Sequence, residues 1–338
     1  MTPGAVVHRE TEEALKKLRK NAGGKEAGQT LSLSDADVGE ILGIARRHRQ
    51  RTDHLHHVWR GESEAKFEHA RGLYLSAFTT KVCATVRTFA KKRRRATLGE
   101  IYEFAKQLDV WEPLWEPVVV EMHSKSKGGY RVITKCGPSR MAQQFLVRDL
   151  LTAVGIDNQF DYARRGAGGE KALLRDVCQR VEQGYSDWQE FDIKECFASL
   201  GPAHLGWLPL PKELIRHVVF LPGCARIKVA LRAGRGRSPT ATSATHGVVP
   251  TLTKEMITAA TMEARRGSPQ GSVLSPLVAR AFVGREVRAV LGKTEVVASC
   301  WVDNLALGAR SRPKLEQAFQ ALRGRLLGNP AGPDPSPR

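Results

Sequence analysis

A chain of 338 residues with 41% hydrophobic content can bury a sizeable core, as one large domain or two modest ones. Its 53 Lys and Arg against 35 Asp and Glu leave a net charge of +18, far from the balance of a near-neutral soluble enzyme. Such an excess favours a polyanionic partner over a surface that is basic only for solubility, because each phosphate neutralised releases condensed counterions. No apolar run approaches the roughly 20 residues of a membrane span, so no membrane partner is expected. The start of the chain carries Glu10, Glu12 and Glu13 and lacks the apolar centre of a signal peptide. With six cysteines and no C-x-x-C pair, the thiols read as isolated and reduced, and a cytoplasmic location is expected.

Residues 1–95 read as a helical, basic extension. Residues 35–47 place Val38, Ile41, Leu42 and Ile44 at helical spacing, with Ser34 or Asp35 as N-cap. His54, His56 and His57 have no cysteine partners and lack the i, i+4 spacing of paired ligands, so they read as a solvated helix face. The extension ends in Lys91, Lys92, Arg93, Arg94 and Arg95, which suit either a solvated face or contact with nucleic-acid phosphates.

Residues 96–185 form a second unit. Strands at 117–122 and 130–133 flank the turn signal Ser126, Lys127, Gly128, Gly129, predicting a β-hairpin with basic residues at its tip. An amphipathic helix is expected from about 140 to 154. Residues 186–327 form a third unit, interrupted by a Gly-, Arg-, Ser- and Thr-rich stretch at 233–246 that suits a surface loop. The tail, 328–338, is rich in proline, which removes donors and blocks helix, so irregular, disordered chain is expected there.

Three motifs carry the chemistry. In the first, 188–197, alternation turns Phe191 and Ile193 to one face and Glu190 and Asp192 to the other, leaving Asp192 at a strand end as a carboxylate ligand for a hard cation or as an ordinary turn residue. The second is the loop Arg266, Gly267, Ser268, Pro269, Gln270, Gly271, Ser272, Val273, Leu274, Ser275, Pro276. It feeds a helix with Ser275 as N-cap, Pro276 at its first position and Leu277, Ala281, Phe282 and Val290 as an apolar stripe. Gly267 and Gly271 would let a base or sugar approach the backbone. In the third, 296–307, two apolar runs flank Asp303 and Asn304, a strand–turn–strand pattern with those two residues as the turn.

In this order the motifs resemble the reverse transcriptase palm: a D-I-K-x-x-F strand at Asp192 to Phe197, a G-x-P-Q-G-S-x-L-S-P loop at Gly267 to Pro276, and Trp301, Val302, Asp303, Asn304 in place of Y-x-D-D. Lys127 to Ile133, Gln143 to Leu151, Arg164 to Leu173 and Arg310 to Leu327 resemble further blocks, so the resemblance covers roughly 110–328 and is nearest to group II intron, retron and related defence enzymes. It implies an α+β right-hand polymerase, with fingers at 96–185 and an antiparallel palm sheet flanked by helices at 186–327.

The resemblance also implies an activity: RNA-directed addition of dNTPs to a DNA or RNA primer, in either a retroelement or a phage-defence setting. Asp192 and Asp303, with the Ile193 carbonyl, would hold Mg²⁺ or Mn²⁺, with Asn304 beside them. Lys127 and Arg131 would clamp the triphosphate, Gln270 and Gly271 would line the nucleotide pocket, and Phe197 would screen the 2′-hydroxyl. Arg165 joins the run at 91–95 as a contact to nucleic acid. Two departures stand out. Asn304 replaces a carboxylate, and an amide ligates hard cations more weakly. Only residues 328–338 follow Leu327, so the thumb is expected to be missing unless a structured RNA or a second protein supplies its function. A catalytically weak or inactive RNA-binding relative and a template-independent nucleotidyl transferase remain as alternatives.

Overall fold

Chain order in the computed structural model is α1 (Pro3–Ala22), α2 (Asp35–Gly61), α3 (Glu64–Ser76), α4 (Phe78–Lys92), α5 (Leu98–Gln107), β1 (Val118–Ser124), β2 (Tyr130–Lys135), α6 (Pro138–Ala153), α7 (Gly169–Glu182), β3 (Asp187–Ile193), α8 (Cys196–Ser199), α9 (Lys212–Leu214), β4 (Ile227–Arg232), α10 (Lys254–Arg265), α11 (Ser275–Leu291), β5 (Val296–Trp301), β6 (Asn304–Ala309), α12 (Arg312–Leu327) and β7 (Pro335–Pro337). The structure describes residues 2–22, 33–113, 116–124, 130–156, 159–163, 167–232, 252–291, 295–327 and 335–337. The turn at 126–129 and the stretch at 233–246 lie outside them. The fold is α+β, and no helix among the described residues is long and apolar enough to cross a membrane.

Of the first five helices, α2, α3 and α5 start at a capping side chain, and α2, α4 and α5 bury apolar residues against one another. Ser34 caps α2 through a reciprocal box with Asp37, and Thr97 does the same for α5 with Glu100. The α2 helix runs to Gly61, since Leu55 and Val58 continue the buried stripe that Ile41 and Ile44 begin. Ile41, Val82, Val86, Phe89 and Ile101 close a core between α2, α4 and α5. The histidines of α2 divide: His54 and His57 are exposed, while His56 Nδ1 lies 2.6 Å from the Ala153 carbonyl and ties α2 to α6.

The α6 helix begins with Pro138 at a position where its missing N–H costs nothing. It is not amphipathic in place. Arg140, Gln143, Gln144 and Asp149, which look like a wet face, are all buried. Gln143 donates to the Asp109 and Glu112 carbonyls, Arg140 to the Phe220 carbonyl, and Asp149 pairs with Arg87 of α4.

Two sheets follow. The predicted hairpin is present, β1 pairing antiparallel with β2, and β4 adds in parallel to β1 to give the order β2-β1-β4. The second sheet is antiparallel throughout, in the order β5-β6-β3-β7, with α11 and α12 packed on it. The tail departs from expectation at residues 335–337: β7 pairs with β3, Ser336 opposite Asp192. Proline is tolerated there because an edge strand has no neighbour on its outer side.

Candidate active site

The inward side chains of β3, Phe191 and Ile193, are buried, and Phe191 stacks on Phe319 of α12 with ring centroids 4.3 Å apart and planes 7° from parallel. That packing fixes the strand, and the alternation leaves Asp192 half-buried on the opposite face, as the sequence predicts. Directly across the ladder stands Asn304, itself paired with Trp301. Asp192, Asn304 and Trp301 therefore share one face of the sheet.

The β5–β6 turn is shifted by one residue from expectation. Its two central residues are Val302 and Asp303, because Asn304 is already the first residue of β6. Val302 has φ of 61° and Asp303 is not among the positive-φ residues, so only the first central position is left-handed, where hairpins favour glycine. A β-branched residue in this region costs on the order of 1–3 kcal/mol. Among the described non-glycine residues, positive φ occurs at Arg93, Glu195 and Val302, and the last two sit immediately beyond β3 and at this turn. The Asp303 carbonyl accepts from the Ile193 N–H at 3.1 Å, which binds the turn to the end of β3.

Above this junction lies a cleft of about 590 Å³ lined by Asp192, Asp303, Ile193, Arg131, Phe197 and Gln270. These residues come from β2, β3, the start of α8, the glycine-rich loop and the β5–β6 turn, and all were singled out from the sequence. Tyr130, Glu195, Cys196 and Glu263 also line it and were not. Arg266 links two of them, 2.9 Å from Glu195 and 4.0 Å from Glu263. Burial pushes the Cys196 thiol up, and the negative charges of Asp303 and Asp192 push it further. Both carboxylates thus bear on one buried point.

The glycine-rich loop braces the cleft from behind. Ser268 N–H donates to the Phe197 carbonyl at 2.7 Å, and Thr134 N–H to the Gln270 carbonyl at 2.6 Å. A Cβ on Gly267 would lie 2.3 Å from the Phe197 carbonyl oxygen, and one on Gly271 would lie 2.6 Å from the Thr134 carbonyl oxygen. Both glycines therefore make room for the protein's own backbone rather than for a base or sugar, and Gly271 does not line the cleft. Ser275 is likewise the first helical residue rather than the cap. Its buried hydroxyl donates to the Pro269 carbonyl at 2.8 Å, while the Leu274 carbonyl accepts the first helical bond from Val278. The expected stripe of Leu277, Ala281, Phe282 and Val290 is buried.

The basic run at 91–95 is exposed but lies outside the cleft. Lys92 donates to the Cys136 carbonyl just beyond β2, about 16 Å along the strand from Arg131 at ~3.3 Å per residue. Arg94 lies over the Phe89 ring at 4.5 Å. Lys127 and Arg165 lie outside the described residues. Among the described residues, no group of three or more His, Cys, Asp and Glu side chains forms a metal cluster. The cleft carries four carboxylates, Asp192, Asp303, Glu195 and Glu263, and Asn304 Oδ1, on the residue directly across the ladder from Asp192, is buried and accepts no hydrogen bond among the described residues. An oxygen-rich set beside an orphaned acceptor suits a hard cation such as Mg²⁺ or Mn²⁺. Neither the known protein-family models nor the curated proteins give a match to this chain.

Proposed function

We propose that the chain is an RNA-directed DNA polymerase, a reverse transcriptase with fingers over 96–185 and a palm over 186–327. The observation that carries this reading is convergence: Asp192, Asp303, Arg131, Phe197 and Gln270, scattered along the sequence, line one cleft.

Asp192 and Asp303, with Asn304 Oδ1 and the Ile193 carbonyl, are the groups that would hold Mg²⁺ or Mn²⁺, and such ions activate a primer hydroxyl and steady a leaving pyrophosphate. Arg131, exposed on β2 at the cleft, supplies charge-assisted hydrogen bonds to an incoming triphosphate. Phe197 walls the cleft five positions beyond Asp192, where its ring would oppose a 2′-hydroxyl. The Gln270 backbone is fixed by Thr134, so its side chain meets a nucleotide from a rigid support. The net charge of +18 and the exposed basic run suit the phosphates of a template–primer duplex.

Asn304 favours a second reading, an RNA-binding relative with weak or no catalysis, because a neutral amide stands directly opposite Asp192. Primer extension on an RNA template with dNTPs, in Mg²⁺ and in Mn²⁺, separates the two. Template-dependent product that disappears in Asp192→Asn supports the polymerase. Salt-sensitive RNA binding without product in either metal supports the second reading, and product without template would make the chain a template-independent transferase.

A further inference from the structure

Val302 occupies a conformation its own side chain disfavours, so something outside the hairpin must hold it there. Its N–H donates to Asp161 Oδ1 at 3.2 Å, and the same oxygen accepts the Ala163 N–H at 2.8 Å. The other oxygen, Oδ2, lies 3.1 Å from Arg280 Nε of α11, as an ion-pair contact rather than an aligned hydrogen bond. The Asp161 side chain is 0% exposed, in a region the cleft does not reach. Its backbone is tied to β5 as well: Asp161 bridges Cys300 in parallel, Cys300 N–H donates to the Phe160 carbonyl at 2.7 Å, and Tyr162 N–H donates to the Cys300 carbonyl at 3.0 Å. Residues 159–163 thus lie beside β5, and a buried carboxylate reaches from them to the first amide of the turn that carries Asp303.

We infer that Asp161, set in place by Arg280, is a positioning residue for the candidate metal centre: it clamps the left-handed Val302 amide and so fixes the direction of the Asp303 carboxylate. The inference rests on the metal-binding part of the function proposed above, and not on the template or primer. The chemistry explains the residue type. A neutral acceptor would hold the two amides, but only a carboxylate can also be drawn toward the arginine of α11, which registers the clamp on the helix beneath the sheet. Glycine reaches positive φ freely, so a glycine at 302 would have little need of the clamp.

The test is a Mn²⁺ titration followed by electron paramagnetic resonance, with thermal unfolding of the metal-free protein and primer extension alongside. Asp161→Ala is expected to weaken Mn²⁺ binding about tenfold, the usual scale for a group that orients a metal ligand. Asp161→Asn, which keeps an acceptor for both amides, should retain most of the binding. In a Val302→Gly background the further loss on Asp161→Ala should shrink to about twofold or less, since coupled residues are non-additive. Equal losses in the two backgrounds would overturn the clamp, as would a fall in Tm with unchanged Mn²⁺ affinity. If Asp161→Ala does not fold, Arg280→Gln takes its place, with a smaller weakening that Val302→Gly again relieves. A native protein that binds Mn²⁺ but extends no primer sinks the polymerase reading and leaves the clamp to stand or fall on the titration. A native protein that binds no Mn²⁺ sinks both.

Discussion

Between α1, α4 and α6 the signs of charge alternate in a buried network, whereas the cleft over β3 and β6 brings two carboxylates, Asp192 and Asp303, to one open wall that Arg131 faces. Arg87, on α4, contacts Glu10 of α1 and Asp149 of α6, and Arg148 also reaches Glu10. Arg87, Asp149 and Glu10 are buried or nearly so, Arg148 is partly exposed, and His48 lies 3.8 Å from Asp149 among them. Each charge there meets its opposite, which is the condition under which ions can be removed from water. In the cleft, Asp192 and Asp303 both bear on the buried Cys196 thiol, and the facing amide oxygen of Asn304 accepts nothing among the described residues. In the alternating network each carboxylate meets a guanidinium within the protein. The cleft instead holds Asp192 and Asp303 at a surface open to solvent. Buried, paired charge therefore marks a structural joint in one region, while half-buried carboxylates at an open cleft mark a candidate reaction centre in the other.

The largest expected effect breaks the first arrangement. Arg87→Ala leaves Asp149 as an uncompensated buried charge and should cost about 3–5 kcal/mol in urea unfolding. Replacing both partners with apolar residues, Arg87→Met with Asp149→Leu, should cost far less. A loss below about 1 kcal/mol for Arg87→Ala would mean that the network is wet and that the contrast with the cleft fails.

Acid probes the same network at the next scale. Burial first, then the charge of Arg87, holds the His48 imidazole down at about 3, so it is neutral in the folded protein. Its Nε2 meets the Tyr74 hydroxyl at 2.9 Å. The unfolded chain binds a proton below about 6.5 that the folded chain refuses until about 3. Stability from this residue is therefore present above 6.5 and falls on acidification, by about 1.4 kcal/mol per pH unit. Comparing unfolding at pH 7 and pH 5 should show a shallower loss in His48→Gln than in the native protein. Identical losses would show that His48 takes up its proton while the chain is still folded.

Much of the cleft was legible because its signals are local. Period-two alternation alone turns Asp192 away from the core that Phe191 and Ile193 enter. The glycine-rich loop announced itself by composition, although its glycines face the protein's own carbonyls. What could not be read depends on distant partners. The turn slipped by one residue because Val302 takes a conformation its type disfavours, held by Asp161 far back in the chain. The α6 helix looked amphipathic because Arg140, Gln143 and Asp149 find their carbonyls and counter-ion on other elements. Ile227, Val229 and Leu231 alternate as a strand should, yet only pairing with β1 reveals that strand's place in a sheet. Glu263 reached the cleft wall by the packing of α10, which nothing near it in the sequence announces.

The smallest effect sharpens the contrast by adding one charge beside the Asp192 and Asp303 carboxylates. Asn304→Asp would put a third carboxylate beside Asp303 and directly across from Asp192. Without metal, like charges in a half-buried cleft repel, so the Tm of the metal-free protein should fall by a few degrees, as about 1 kcal/mol does in a domain of this size. With Mg²⁺, the added oxygen should tighten binding several-fold, and any ligand that binds only the folded state stabilises it in proportion. The variant should therefore gain more in Tm from Mg²⁺ than the native protein does. The opposite change in the alternating network, Glu10→Gln, removes a partner from Arg87 and Arg148, and its cost should not respond to Mg²⁺. If Asn304→Asp leaves both the metal-free Tm and the Mg²⁺ response unchanged, Asp192 and Asp303 do not act as one charged site.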